Sequence, residues 1–196
     1  MLSYKDSLNV LKKTKALLEG HFVLSSGLHS NKYIQCAKLL SLPNQAYKIC
    51  NALSKKILKA FSSIDLILSP SIGGIIIGYE IGRQLNIETI FSERVGGKFK
   101  LRRGFSIKKG AKVLIMEDVI TTGKSSLECA KLVKKAKGKL LGFACIIDRS
   151  NKKNLLIKKN KIVSQVKISI PVYKKNELPT FLQKIPISTP GSRFLK

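Results

Sequence analysis

Two adjacent carboxylates, Glu117 and Asp118, stand between a run of four apolar residues and a short turn rich in hydroxyl groups. The stretch over residues 113–126 reads V-L-I-M-E-D-V-I-T-T-G-K-S-S. The apolar run predicts a buried strand, and the turn after it opens a helix, so backbone N–H groups of the turn can bind a phosphate. Carboxylates beside a phosphate can accept hydrogen bonds from vicinal hydroxyls. The stretch therefore favours a sugar phosphate as the ligand.

Four hydroxyl side chains of this turn can add donors to the phosphate: Thr121, Thr122, Ser125 and Ser126. Residues 123–125, G-K-S, resemble the end of a Walker A loop, but that motif needs a glycine where Asp118 stands. Two acids at the place of a triphosphate argue against a nucleoside triphosphatase. The alternative interpretation is that this stretch binds no ligand and is a strand followed by a capped helix, with the two acids exposed to solvent.

A second glycine-containing turn, residues 70–74, follows another apolar stretch. Gly73 and Gly74 allow the backbone to approach a diphosphate closely. A tight turn from strand to helix explains the two glycines equally well. Together with Gly78 they do not have the spacing of a dinucleotide-binding motif.

A basic excursion over residues 94–105 surrounds the pair Gly96-Gly97. Its five cations are Arg94, Lys98, Lys100, Arg102 and Arg103. Such a segment fits a mobile lid, residues 94–106, that closes over a diphosphate and excludes water. A solvated hairpin tip is the alternative, because V-G-G-K is a turn signal. Lysine is abundant everywhere in this chain, so the arginines are the stronger candidates.

Arg149 follows Asp148 at the end of the apolar run over residues 140–147. A guanidinium can form two parallel hydrogen bonds with the carboxylate of a ligand. A local ion pair with Asp148 is the alternative. We assign no catalytic role to His21 or His29, since each is more often a satisfied polar residue.

The length, composition and net charge of the chain limit the class of protein to which it can belong. The 196 residues suffice for one domain with a core, and 44% of them are hydrophobic, which excludes a disordered basic tail. With 37 Lys+Arg against 11 Asp+Glu the net charge is +26, which favours anionic ligands. Only six of the basic residues are arginine, and there is neither a tryptophan nor an aromatic RNA-binding motif. These features argue against nucleic-acid binding as the primary role.

The sequence also bears on the compartment. No run approaches the roughly 18 apolar residues of a membrane span, and residues 1–9 lack the apolar region of a signal peptide. We therefore expect a cytoplasmic protein without a membrane partner. Four scattered cysteines predict buried free thiols: Cys36, Cys50, Cys129 and Cys145.

The elements that must position these residues alternate between strands and helices. Helices are predicted over residues 3–18, from Pro43 onward, over 75–85 and over 124–136. An antiparallel piece is predicted over 22–37, and strands over 65–69, 88–91, 112–116 and 140–147. Continuous apolar strands separated by helices indicate a parallel sheet covered on both faces. Such sheets bind ligands beyond the carboxyl ends of their strands.

Residues 117–126 resemble the phosphoribosyl-diphosphate (PRPP) motif of type I phosphoribosyltransferases. Further segments resemble one branch of the orotate phosphoribosyltransferases: residues 20–22, 26–30, 93–105, 148–150 and 190–193. The PRPP motif specifies only the superfamily. The S-G-L-H-S of residues 26–30 and the Asp148-Arg149 pair are the segments that point to orotate. Ser25 and Gly73 stand where many orotate enzymes carry lysine, and the lid lacks their histidine.

The resemblance implies an α/β fold of the type I phosphoribosyltransferase kind, with a central parallel sheet flanked by helices and a small N-terminal hood subdomain. Residues 1–196 would form a single domain. Residues 1–40 with the C-terminal segment near 165–196 would form the base-binding hood, and residues 94–106 the lid. In the family the lid reaches into the neighbouring subunit's site, which implies a homodimer with shared active sites.

The resemblance also implies a magnesium-dependent displacement. Orotate N1 attacks C1′ of PRPP and diphosphate leaves, giving orotidine 5′-monophosphate for pyrimidine (UMP) biosynthesis. Glu117 and Asp118 would hold the ribose hydroxyls, and Mg²⁺ would be held mainly by PRPP, near Asp118, without direct side-chain ligation.

The remaining roles follow from the same resemblance. Thr121 and Arg149 would bind orotate. The other groups that would contact PRPP are Val119, Ile120, Thr121, Thr122, Gly123, Lys124, Ser125, Gly73 and Gly74. The catalytic cations of the lid would be Arg94, Lys98, Arg102 and Arg103.

Two other functions compete with this one. A phosphoribosyltransferase for a purine base would not need an arginine for a base carboxylate. A non-catalytic regulator that senses PRPP and binds nucleic acid would be expected to carry an added DNA-binding segment, and the helix predicted over residues 3–18 is too short to be one.

Overall fold

The computed structural model describes residues 2–24, 26–151, 153–158 and 161–188. Ser25 and the predicted C-terminal motif, residues 190–193, lie outside the described residues.

Six helices and nine strands are formed by the described residues. The first half of the chain contains α1 (Tyr4–Lys13), β1 (Leu17–Val23), β2 (His29–Ile34), α2 (Cys36–Leu40), α3 (Pro43–Ala60), β3 (Leu66–Pro70), α4 (Gly73–Leu85), β4 (Thr89–Val95) and β5 (Lys98–Leu101). The second half contains β6 (Lys112–Ile120), α5 (Lys124–Lys135), β7 (Lys139–Asp148), β8 (Ile162–Lys167), α6 (Thr180–Gln183) and β9 (Ile187–Ser188). A single 3₁₀ turn spans Lys175–Glu177.

The larger sheet has six strands in the order β5-β4-β3-β6-β7-β8. All neighbouring strands in it are parallel except β4 and β5, which form an antiparallel hairpin. This arrangement confirms the predicted α/β class and its central parallel sheet flanked by helices. The carboxyl ends of β3, β6 and β7 meet at one edge, so the segments that follow them lie together.

Two hydrophobic clusters cover the two faces of this sheet. Successive residues of β3 alternate between them: Ile67 belongs to one cluster, and Leu66 and Leu68 belong to the other. Helices α3 and α4 supply residues to the first cluster, and α5 supplies Cys129 and Val133 to the second. Strands buried on both faces read as continuous apolar runs, which is why the sequence pattern predicted them.

A smaller sheet joins the two ends of the chain, in the order β2-β1-β9. Strands β1 and β2 pair antiparallel, and β9 pairs parallel with β1. Residues 165–167, at the start of the segment near 165–196 that we expected in the hood, lie in β8 of the larger sheet.

The prediction of a helix over residues 3–18 is wrong at the C-terminal end. The helix stops at Lys13, where Thr14 forms the C-cap and Lys15 adopts a φ of 56°. Leu17 and Leu18 continue the helical apolar spacing, but they pair with Ile34 and Tyr33 of β2. Cross-strand pairing outweighs local periodicity here, and β1 begins before the predicted antiparallel piece.

Two strands are longer than predicted. Strand β4 continues to Val95, so Arg94 lies within the strand instead of in a loop. Strand β6 continues to Ile120 because its ladder with β7 persists to Ile120 and Asp148. Strand β8 was not predicted from the sequence. Among the described residues, no helix is both long and apolar enough to cross a membrane.

Candidate active site

The turn over residues 121–123 connects β6 to α5, and we call it the phosphate turn. Gly123 has a φ of 75°, and a Cβ atom at this position would lie 2.7 Å from Cδ1 of Ile157. Both the left-handed backbone and the close contact require glycine. There is therefore little room for a side chain behind this turn.

A cavity of about 80 Å³ opens at this turn. It is lined by Glu117, Val119, Ile120, Thr121, Thr122, Gly123, Lys124, Ser125 and Ser126. Whole-ligand pockets measure about 300–1,000 Å³, so this cavity suits one group of a ligand. Because helix α5 begins at Lys124, its positive dipole end faces the cavity and favours an anion such as a phosphate.

Ser126 does not serve the role given to it from the sequence. Its hydroxyl is buried and donates to Oε1 of Glu117 over 3.0 Å, so that hydroxyl is already used within the protein. Burial raises the pKa of Glu117 from 4.5 to about 8; the hydrogen bond from Ser126 opposes the rise and the charge of Asp118 adds to it. In the ligand-free protein Glu117 is therefore largely protonated at neutral pH.

Asp118 lies between the phosphate turn and the second glycine turn, residues 70–74. The Val119 N–H donates to its Oδ1 over 2.8 Å, and burial raises the pKa of Asp118 despite that bond. A Cβ atom at Gly73 would lie 2.8 Å from Oδ2 of Asp118, and one at Gly74 would lie 2.9 Å from the Met116 carbonyl oxygen. The two glycines thus let the first turn of α4 lie directly against the end of β6.

Arg149 lies beside the phosphate turn, since its backbone N–H donates to the Ile120 carbonyl over 3.0 Å. The alternative interpretation, an ion pair between Arg149 and Asp148, is wrong. Asp148 pairs with Lys167 over 3.1 Å and accepts from the Ser150 N–H over 2.8 Å. Within the described part of the chain, the half-buried Arg149 guanidinium has no carboxylate partner, and burial lowers the pKa of Arg149. A buried cation without a counter-ion is costly unless a ligand supplies one.

The basic excursion is the antiparallel hairpin of β4 and β5, with Gly96 and Gly97 at its tip in left-handed conformations. We call this element the lid hairpin. Arg94 forms an ion pair with Glu128 of α5 over 3.0 Å, and its Cζ lies 4.2 Å from the centre of the Phe99 ring. The lid hairpin is thereby attached to helix α5 close to its tip, because Arg94 pairs with Phe99 only one residue pair away from the Gly96-Gly97 turn.

The other two arginines of the hairpin share one carboxylate. Arg102 and Arg103 lie 3.1 Å and 2.5 Å from the two oxygens of Glu93. Lys98 and Lys100 are exposed to solvent. Glu93 was not predicted as a partner from the sequence, although it precedes Arg94 directly. Glu128 was not predicted either, and the sequence offered no signal for it.

His21 and His29 are satisfied polar residues, as expected. They are buried, and Nε2 of His21 lies 2.7 Å from Nδ1 of His29. Nδ1 of His21 lies 3.1 Å from the Ile185 carbonyl oxygen, so the pair ties β1 and β2 to the C-terminal segment. The four cysteines are buried thiols, in line with the prediction.

The fit of a magnesium ion rests on Asp118. No group of three or more candidate ligand side chains occurs within the ranges that the structure describes. Mg²⁺ is commonly held by one or two carboxylates together with the phosphates of a substrate. Asp118 is a half-buried residue whose carboxylate lies next to Gly73 and accepts from the Val119 N–H, and it fits that requirement.

Comparison with known proteins agrees with this geometry. A family model described as "Phosphoribosyl transferase domain" matches residues 38–175. The orotate phosphoribosyltransferase of Phenylobacterium zucineum is 44% identical over 195 residues, which covers 100% of both chains. That of Chlorobium phaeobacteroides is 45% identical over 95% of this chain and 94% of its own. The crystal structure of the Aeropyrum pernix orotate phosphoribosyltransferase shares the fold, with a TM-score of 0.71 over 82% of this chain and 92% of that one at 22% identity.

A parallel sheet with a glycine turn after β6, beside the adjacent acids Glu117 and Asp118, is compatible with a protein that binds sugar phosphates. The chain belongs to the phosphoribosyltransferase family, in the group formed by its full-length relatives, the orotate phosphoribosyltransferases.

Proposed function

We propose that this chain transfers the 5-phosphoribosyl group from PRPP to orotate, giving orotidine 5′-monophosphate and diphosphate in pyrimidine biosynthesis. The observation that carries the choice of base is the half-buried Arg149 guanidinium, which has no carboxylate partner among the described residues and lies beside the phosphate turn. Orotate brings a carboxylate that this guanidinium can bind through two parallel hydrogen bonds. Thr121, exposed in the adjacent turn, completes the proposed base site.

The phosphate turn binds the 5′-phosphate through its backbone N–H groups and the N-terminus of α5. Glu117, which lines the cavity, and the neighbouring Asp118 accept hydrogen bonds from the ribose hydroxyls. Because Gly73 lies against Asp118, the diphosphate of the same PRPP molecule reaches the first turn of α4. These three contacts fix C1′ for attack by the base.

In the reaction a bond forms between orotate N1 and C1′ while the bond from C1′ to the diphosphate oxygen breaks. The electron pair of the broken bond leaves with the diphosphate, so negative charge accumulates there. Orotate has acidic ring N–H groups, so its N1 proton passes to solvent without a strong protein base. Mg²⁺ supplies charge stabilisation to the leaving diphosphate when it is bound, and Asp118 is the carboxylate that would hold it.

The lid hairpin supplies further positive charge. We propose that it closes over the diphosphate, and that Arg94, Arg102 and Arg103 then exchange their glutamate partners for diphosphate oxygens. The three arginines are 42%, 60% and 62% exposed, so solvent screens their ion pairs and a dianionic or trianionic ligand can compete with them. Lys98 and Lys100, which are already exposed, can approach the same group.

The deciding experiment is a screen of bases. The protein is incubated with PRPP and Mg²⁺, and diphosphate release is followed with orotate, uracil, adenine, hypoxanthine or xanthine. We expect release with orotate only. Uracil lacks the carboxylate, and a charged hydrogen-bonded pair left without its partner costs about 2–5 kcal/mol.

Variants of Arg149 test the clamp within that screen. Arg149→Ala should raise the KM for orotate far more than the KM for PRPP, and it should narrow the preference for orotate over uracil. Arg149→Lys should restore only part of the loss, because an ammonium lacks the planar fork. Lys59→Ala, which removes an exposed cation at the C-terminal end of α3, is the control and should leave both KM values unchanged. Release with a purine in place of orotate would establish the purine alternative, and DNA binding without turnover would favour the regulator.

We propose a homodimer whose interface includes the apolar face of α3 and α4 beside Gly73. The exposed side chains on this face are Leu42, Tyr47, Ile72, Ile76 and Tyr79, and Ile72 is 85% exposed. Several of these residues line a cleft of about 430 Å³. A continuous exposed apolar patch of this kind is typical of a protein interface. Its position next to the diphosphate turn would bring a second copy close to the site.

Sedimentation velocity tests this interface. Ile76→Glu with Tyr79→Glu should convert a dimer into a monomer. Leu58→Glu is the matched control, since Leu58 is 60% exposed at the far end of α3, outside the patch. A dimer that persists in the double variant would place the interface elsewhere. We also propose that the protein acts in the cytoplasm, which the four unpaired thiols support because reducing compartments preserve them.

A further inference from the structure

The segment that follows Arg149 returns to the back of the phosphate turn. Its course is held by backbone hydrogen bonds at two points. The Arg149 N–H donates to the Ile120 carbonyl over 3.0 Å, and the Leu156 N–H donates to the Thr122 carbonyl over 2.9 Å. The turn is therefore supported from behind by residues that come after β7 in the chain.

Ile157 makes the closest of these supporting contacts. Its side chain is only 4% exposed and belongs to the hydrophobic cluster that contains Ile120 and Phe143. It occupies the space in which a Cβ atom of Gly123 would lie, 2.7 Å from Cδ1 and 2.8 Å from Cγ1. Leu155 contributes a more distant contact to the same space, at 3.6 Å.

This contact acts on the one residue of the turn whose backbone is left-handed. Gly123 turns the chain from β6 into α5, so its position sets where the N–H groups of the following residues point. A glycine has no side chain of its own to resist displacement, and its backbone is intrinsically permissive. A side chain packed against it from behind supplies the missing restraint.

We propose that Ile157 is a positioning residue for the 5′-phosphate: its Cδ1 holds Gly123 in place, so that the N–H groups at the start of α5 are directed into the cavity. The proposal rests on the proposed function, because the ligand of that cavity is taken to be the 5′-phosphate of PRPP. Ile157 touches neither substrate, and it acts through the backbone of the turn alone.

The test compares two conservative variants. Ile157→Val removes only the Cδ1 methyl that approaches Gly123. Ile107→Val is the control, because it also removes one Cδ1 methyl from the same hydrophobic cluster. Ile107 is 7% exposed and lies against Gly138, not against Gly123. Calorimetry measures the binding of ribose 5-phosphate, which carries the 5′-phosphate, and of diphosphate with Mg²⁺, which does not. Thermal unfolding midpoints establish that both variants are folded.

We expect Ile157→Val to raise the Kd for ribose 5-phosphate and the KM for PRPP by about three- to tenfold, with the Kd for diphosphate and the kcat unchanged. Ile107→Val should bind both ligands as the wild type does. Equal affinity of Ile157→Val and wild type for ribose 5-phosphate would overturn the proposal, and so would an equal loss in the two variants or for the two ligands. Failure of the wild-type protein to bind ribose 5-phosphate would overturn the phosphate site itself. Diphosphate release with a base other than orotate in the screen would reject only the assignment of orotate as the base.

Discussion

The phosphate turn follows the central strand β6 and the lid hairpin forms one edge of the same sheet, yet the two hold their polar groups in opposite ways. In the turn, the donors are backbone N–H groups, fixed by the left-handed Gly123 and by Ile157 behind it. In the hairpin, the cations are long exposed side chains, and Arg102 and Arg103 are held by Glu93. The turn is ready for an anion before one arrives, whereas the hairpin arginines must first leave their partners.

This difference assigns the two regions to different stages of the reaction. A rigid backbone site suits the 5′-phosphate, whose charge stays constant from PRPP to product. Side chains that can change partners suit the diphosphate, on which charge accumulates only as the bond to C1′ breaks. Substitutions in the two regions test that division, beginning with the strongest expected effect.

Asp118→Asn should lower kcat/KM by about 10²–10³, the loss typical of one well-placed polar group in a transition state. The carboxylate next to Gly73 would lose the charge that we propose for accepting a hydrogen bond from a ribose hydroxyl and for holding Mg²⁺. Steady-state diphosphate release measures the effect. Asp65→Asn is the control, because Asp65 accepts from the Lys112 N–H at the opposite end of the sheet. Wild-type turnover in Asp118→Asn would remove Asp118 from the site.

The pH dependence of stability should depend on Glu117. Its folded pKa of about 8 lies above the ordinary value of 4.5, so the folded protein holds a proton that the unfolded chain has released. The resulting stabilisation is complete below about pH 4.5 and is lost as the pH rises through about 8. The free energy of unfolding should therefore fall by roughly 2–4 kcal/mol across that range on account of Glu117.

Glu117→Gln is the informative variant, since its amide oxygen can still accept from Ser126. Urea unfolding of ligand-free protein at pH 5 and pH 8 should show a flatter dependence in the variant than in the wild type. Parallel pH profiles of the two proteins would mean that Glu117 is ionised throughout this range.

Gly123→Ala should weaken PRPP binding by about tenfold or more, because a Cβ atom would displace Ile157 and with it the turn. Gly110→Ala is the matched control: Gly110 has a φ of 81°, and a Cβ atom added there would meet no heavy atom of the described residues within 4 Å. Both variants bear the strain of a left-handed alanine, about 1–2 kcal/mol. Only the first should change the Kd for PRPP, measured by calorimetry without a base.

The turn could be predicted from the sequence because everything that forms it is local. The apolar strand, the acids, the glycine and the start of the helix follow one another in the chain, so their order alone predicts both the turn and the phosphate site that we propose there. Arg149 was singled out from a similarly local pattern, since it directly follows Asp148 at the end of the apolar run over residues 140–147.

Other features depend on contacts between distant segments. Leu17 fits a helical spacing, and only its pairing with Ile34 shows that it belongs to a strand. The partners of the hairpin arginines and the contact between Gly123 and Ile157 likewise arise when separate segments meet. Gly73 and Gly74 are intermediate: the sequence indicated a close approach, but the first groups they approach are Asp118 and Met116 of this chain.

Glu93→Gln tests the hairpin with the smallest expected effect. The Glu93 side chain is 16% exposed, but Arg102 and Arg103 are 60% and 62% exposed, so solvent screens their ion pairs and the free energy of unfolding should change by only about 1 kcal/mol. The same weak pairs compete with the diphosphate, and their removal should tighten PRPP binding by about two- to fivefold. Glu177→Gln, which removes an exposed pair with Lys174, should leave PRPP affinity unchanged. Weaker PRPP binding in Glu93→Gln would show that Glu93 orders the arginines for the ligand, and the hairpin would then be as preorganised as the phosphate turn.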